Sequence, residues 1–316
     1  DGSAGYVLQN GLGSAGVDNV NINQSIDSST GVNSDINVSD ATKINVNADI
    51  SSGSGNITLD ADNGTSQPGS FNGVSINGPG VDITTTTGNI QIDGRGSSGT
   101  TGSFSGILLN QFNSIKSTST GNISLTGFGG ATTNSGSFGP NIGLDIRGLV
   151  QGNGGTITLN GTGGTGVVDS YYGVAVFTGS QILNSGSGTI SLTGTGGNNT
   201  TNFNYGVVLF DNTTIQGESG NMSITGSGGG TGASDQNHGV NIKLSGSAGS
   251  IAPEVKTTVG GAISITGSKG SGSSSLGINL QDGSVTTVHS SAAPGAITLE
   301  TDVISITNAT VTTANT

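Results

Sequence analysis

The chain has 316 residues, among them 60 glycines and no cysteine, with 8% charged residues and a formal charge of -12. Without cysteine it can build neither a disulfide framework nor a zinc-thiolate site, and the acidic balance offers no basic track for a phosphate backbone, so nucleic acid is not expected as a partner. No stretch approaches the ~20 apolar residues that cross a bilayer, so direct membrane insertion of this segment is not expected either.

Residues 1–50 alternate apolar and polar positions without a full repeat. Val20-Asn21-Ile22, Ile36-Asn37-Val38 and Ile44-Asn45-Val46 predict short strands in an irregular terminal region. From residue 55 a six-residue phrase, Gly-x-Ile-x-Leu/Ile-x, takes over. It starts at Gly55, Gly88, Gly121, Gly155, Gly188, Gly220, Gly261 and Gly295, a nearly constant step broken only by the longer stretch from Gly220 to Gly261. A composition this rich in glycine would suit a linker, but a linker has no reason to space its aliphatic residues in phase.

Strand alternation places one set of residues inward: Ile57 and Leu59, Ile90 and Ile92, Ile123 and Leu125, Ile157 and Leu159, Ile190 and Leu192, Met222 and Ile224, Ile263 and Ile265, and Ile297 and Leu299. Stacked at ~4.8 Å, these become aliphatic ladders, which β-branched side chains favour. A second phrase, Gly-Val/Ile/Leu-x-Val/Ile/Leu, starts at Gly73, Gly106, Gly143, Gly173, Gly206, Gly239 and Gly277, in step with the first. A third apolar position follows, as in Ile83, Ile115, Ile182, Ile215 and Val285. The glycines opening the phrases supply either a positive φ at a corner or room for the neighbouring turn.

Three strands per period make a triangular turn. The predicted fold is all-β, a single-stranded right-handed parallel β-helix (β-solenoid) of about nine turns of roughly 33 residues. One continuous domain spans 1–316, with irregular terminal turns at 1–50 and 300–316. Length variation falls in the corners, most of all between Gly239 and Gly261. The tail adds strands through Val303-Ile304-Ser305-Ile306 and Val311. Neither end carries a recognisable cap, so the chain reads as a segment of a longer repeat protein, with adjacent repeats as its neighbours.

Residues that could carry chemistry are sparse. His238 and His289 are expected at surface or corner positions. Asp60 and Asp93 fall at equivalent outward positions of successive turns with Asp62 nearby, which suits at most a weak surface calcium site, and no other cofactor is expected. Asp145 and Arg147 read as a local surface ion pair. No acid cluster recurs across turns, so the chain is not expected to be an enzyme, and polysaccharide hydrolysis or lyase action is the third reading. Aromatic residues gather before the second phrase: Phe71, Phe104, Tyr171, Tyr172, Phe203 and Tyr205. They either cap one corner of the core or form a stripe of glycan contacts. Exposure decides between these roles, since a pyranose needs an open ring face.

The phrases Gly55-Asn56-Ile57-Thr58-Leu59 and Gly121-Asn122-Ile123-Ser124-Leu125, with their later copies over most of residues 50–300, resemble those of bacterial surface β-strand-repeat proteins. These include filamentous-haemagglutinin-like and autotransporter passenger β-helix regions. The resemblance implies export, an extracellular or bacterial outer cell surface location, and display as an adhesin or spacer. The function expected is a structural rod or stalk segment of a secreted bacterial surface adhesin or fibre. The alternative is a carbohydrate-binding module on a β-helix scaffold, with a host or environmental glycan or a surface protein as partner.

Overall fold

The computed structural model describes residues 6–9, 19–30, 34–100, 102–133, 139–167, 169–244, 249–289 and 295–315. Three parallel sheets of ten strands each wrap one core. The first sheet is built from the six-residue phrase, as in Ile90–Arg95, Ile123–Phe128 and Ile190–Thr195. The second comes from the shorter phrase, as in Leu144–Ile146, Val174–Val176 and Val207–Leu209. Strands such as Ser114–Ser117, Gln181–Ser185 and Thr214–Gly217 form the third.

The chain visits the three sheets in turn and then repeats, so the molecule is a parallel β-solenoid. Register follows the sequence phase. Ile90 lies beside Ile57 on one side and Ile123 on the other, and Ile190 lies beside Ile157 and Met222. Strict alternation leaves this pairing little freedom, because a slip by one residue would turn every isoleucine outward.

Each sheet has ten rungs, close to the nine or so turns expected, and the ends use less chain per turn than the middle. Ile57 pairs with Ile90 a full period on, whereas Ile36 reaches Ile57, and Val285 reaches Val311, over distinctly shorter stretches. Three short strands and tight corners suffice to close a turn. The regular repeats spend their additional residues on an excursion between the first and second sheets, as over residues 196–206, where chain length costs little once both ends are fixed.

One core cluster runs from Ile22 to Val285 and contains fourteen of the sixteen aliphatic residues expected inside the first sheet. Ile297 and Leu299 are the correction: they are only partly buried. Their strand, Ile297–Thr301, is the last of the first sheet and packs against one neighbouring rung, Ile263–Ser268. A core position in a solenoid needs a rung on both sides.

Close approach, not positive φ, explains the glycines that open the phrases. A Cβ built on Gly188 would lie 2.2 Å from the Gly155 carbonyl oxygen of the preceding turn. One built on Gly206 would lie 2.4 Å from the Ser227 amide nitrogen and 2.6 Å from the Gly239 oxygen.

Candidate functional site

Adjacent residues before the second sheet meet opposite fates. Two positions ahead of the opening glycine, Phe71, Phe104 and Tyr171 are buried, and the same position holds Asn141, Asn204 and Asn237 in other turns. The asparagine carboxamides satisfy the corner backbone there. Asn141 Oδ1 accepts from the Phe104 amide at 2.7 Å, Asn204 Oδ1 from Tyr171 at 3.3 Å and Asn237 Oδ1 from Asn204 at 2.9 Å. Buried rings at this position have no face to offer a sugar, which removes Phe71, Phe104 and Tyr171 from the glycan-contact set.

One residue later the side chains turn outward and stack along the rod. The Tyr172 and Tyr205 rings lie 5.3 Å apart and 5° from parallel, and Tyr205 and His238 lie 5.2 Å apart at 4°. A second ladder runs beside the first, with Phe177 and Phe210 at 4.9 Å and 12°. Tyr172 meets Phe210 at 6.0 Å and 60°, and Phe203 meets Tyr205 edge-on at 6.3 Å.

Together with Ile142, Ala175 and Val208, these tyrosines and phenylalanines form a hydrophobic cluster separate from the main core. It buries the outward residues of a sheet that strand alternation alone would leave in water. Tyr172 and Tyr205 are only 8% and 9% exposed, and burial raises both phenol pKa values above the ordinary tyrosine range. Much of each ring face is taken by its neighbour. Phe177, Phe203 and Phe210 are half-buried at the rim of the cluster. Phe177 and Phe210 stand at equivalent positions just after successive copies of the second phrase, which was the available sequence signal for the second ladder.

Asp145 and Arg147 pair at one end of this cluster, and the expectation of a surface pair holds for the exposed Arg147 but not for Asp145, which is buried. Arg147 donates from Nε to Asp145 Oδ1 at 2.7 Å and from Nη2 to Oδ2 at 2.8 Å, with the Asp145 side chain 4% exposed. The guanidinium lies 4.6 Å from the centre of the Phe177 ring, so it continues the phenylalanine ladder as a cation over an aromatic face. Burial pushes the Asp145 carboxyl pKa upward against the opposing pull of the guanidinium.

His238 is likewise buried rather than at the surface, and its Nδ1 accepts from the Leu276 amide at 3.0 Å. Burial first, and the Lys243 charge second, lower its pKa from 6.5 to about 4, with Asp235 opposing. Between these two values the unfolded chain takes up a proton that the folded chain refuses, so acidification through this window destabilises the fold. Above it, His238 contributes no pH dependence. His238→Asn, which retains an acceptor for Leu276, is expected to remove about 3 kcal/mol of acid sensitivity. Urea midpoints of the two proteins compared across that pH window measure the difference, and parallel curves would refute it. His289 lies in the strand Ser284–His289, and its side chain lies outside the described ones.

Asp60 and Asp93 are register neighbours on the first sheet, as their spacing implied. Burial and then repulsion from Asp93, Asp62 and Asp40 raise the Asp60 pKa, against a hydrogen bond from the Asp62 amide. Asp62 turns instead to Arg95, which donates from Nε at 2.6 Å and from Nη2 at 3.2 Å, while Asp93 accepts from Gln91 at 2.6 Å. Among the described residues no group of three or more His, Cys, Asp or Glu side chains converges as a metal site.

No protein-family model, curated protein or solved structure matches the chain.

Proposed function

We propose that this chain is a structural rod or stalk segment of a secreted bacterial surface adhesin or fibre, acting outside the cell beside further repeats of a longer protein. The observation that carries this reading is the unbroken register of three ten-stranded sheets over one core. Nine rung spacings amount to ~43 Å of rod, and each added turn lengthens it without requiring a new core. Antibody raised against the chain should label intact cells of the source organism, and brief external proteolysis should remove the label. Labelling that needs lysed cells would overturn the reading.

The half-buried Phe177, Phe203 and Phe210 rims support a second reading, carbohydrate binding on the same scaffold. In that reading the rod presents its recognition surface along the second sheet and its corners.

A further inference from the structure

The corner between the second and third sheets contains a slot produced by a local shortening of the chain. Four residues, 110–113, separate Leu109 from Ser114, and four, 177–180, separate Val176 from Gln181. In the rung between them only Arg147 and Gly148 separate Ile146 from Leu149. The corner is therefore recessed by two residues between two full-length neighbours. A cavity of about 260 Å³ opens there, lined among others by Gln111, Phe112, Arg147, Thr178 and Gln181.

Phe112 forms one wall and is anomalous twice over. It is 87% exposed, the most exposed large apolar side chain among the described residues. It also has a φ of 66°, in a corner where other turns place Gly80, Gly179, Asn212 or Asp282 in the left-handed region. A bulky residue is strained in that conformation, and exposed apolar surface brings no compensating burial. Neither packing nor backbone geometry accounts for a phenylalanine at this position.

We propose that this slot is a carbohydrate subsite that takes one pyranose ring of a glycan against the face of Phe112. Removing the projecting part of one rung between two others leaves a gap about one strand spacing, ~4.8 Å, across, suited to a flat ring. The volume is below the ~300–1,000 Å³ of pockets that enclose whole drug-sized ligands, so it fits one unit of a longer chain.

The polar lining comes from Gln111, Thr178, Gln181 and Arg147. Two Arg147 nitrogens are held by Asp145, which neutralises its charge and fixes the guanidinium plane, while Nη1 has no partner among the described residues. This is a directional donor set for hydroxyl groups rather than an anion trap. An extended peptide is disfavoured because the third-sheet strand beginning at Leu149 is paired on both sides, leaving no open backbone edge to extend.

An array of immobilised neutral and acidic oligosaccharides, followed by calorimetric titration with the strongest free oligosaccharide, tests the site on the whole chain. The expected result is saturable binding that Phe112→Ala weakens at least about 10-fold, with Thr178→Trp weakening it by occupying the slot. Phe112→Asn, which matches Asn212 in an equivalent corner, should lose binding equally while keeping or raising the melting temperature. No array signal, undiminished binding by Phe112→Ala, or a lowered melting temperature in Phe112→Asn would overturn the proposal. Any of these failures would leave the rod reading untouched, because that reading rests on sheet register and cell-surface exposure.

Discussion

Gly206→Val should unfold the central rungs, while Thr193→Val a short distance away should be nearly silent. The Cβ of any residue at 206 would lie 2.4 Å from Ser227 N, 2.6 Å from Gly239 O and 2.8 Å from Gly194 O. All three are backbone atoms, so no side-chain rotation relieves the overlap. Separating the rungs would relieve it only by stretching the bonds that define them, from Gly206 N to His238 O at 3.0 Å and from Val207 N to Gly239 O at 2.9 Å. The expected cost exceeds about 4 kcal/mol, beyond the usual range for overpacking because the opposing atoms belong to two rungs.

Thr193 is exposed on the first sheet, and its replacement should stay within about 0.5 kcal/mol. A solenoid can open locally, so amide hydrogen exchange is the better readout than one melting temperature. Protection should collapse first in Val207–Leu209 and Val240–Lys243. Equal urea midpoints for the two variants would show that the rungs can separate at little cost.

Arg147→Ala should be the most damaging single removal of a charge. It leaves the buried Asp145 carboxylate without its bidentate partner, a loss of about 2 to 3 kcal/mol at neutral pH, less than for a fully buried pair because Arg147 itself is exposed. The pH dependence has a defined sign. Burial already raises the Asp145 pKa above 3.8, and loss of the guanidinium raises it further. The deficit should therefore be largest above the raised folded-state pKa and shrink as pH falls through it toward 3.8, because the folded variant binds the proton before the unfolded chain does.

The adjacent rung suggests the repair. Ala175 is the register partner of Asp145, and Phe177 stands at the position equivalent to Arg147. Asp145→Ala with Arg147→Phe should therefore recover all but about 1 kcal/mol by extending the apolar ladder. Denaturant titration of the single and double variants at neutral and acid pH measures both effects. A double variant as unstable as Arg147→Ala would show that the ion pair performs a task that packing cannot replace.

Much of the solenoid was legible because each rung repeats a local rule. Ile190 and Leu192 sit two positions apart in a strand, so they share a face whatever surrounds them, and the recurring glycines set the period. The turn count was less legible because the first and last rungs omit the excursion that makes the regular repeat long. Ile297 and Leu299 carry the same phrase as Ile190 and Leu192, yet remain half-buried where, among the described residues, their strand pairs on one side only.

The candidate site shows the division most clearly. Tyr171 and Tyr172 look alike as a pair, but alternation sends the first into the corner and the second onto the outer face. Asp145 and Arg147 were recognisable as partners from their spacing, whereas the stacking of Arg147 on Phe177 depends on the next rung along. Phe112 drew no attention as an isolated phenylalanine. Its strain and exposure acquire meaning only when its corner is set beside Arg147-Gly148 and the following turn.

By itself the sequence determined the period, the three-strand turn, the parallel stack and nearly all of its inward residues, since these follow from alternation over short stretches of chain. Tertiary structure alone decided which outward side chains are covered, which rings face one another, and where a shortened corner opens a slot. Those properties depend on contacts between turns, in which the environment of each residue is supplied by chain one or two periods away.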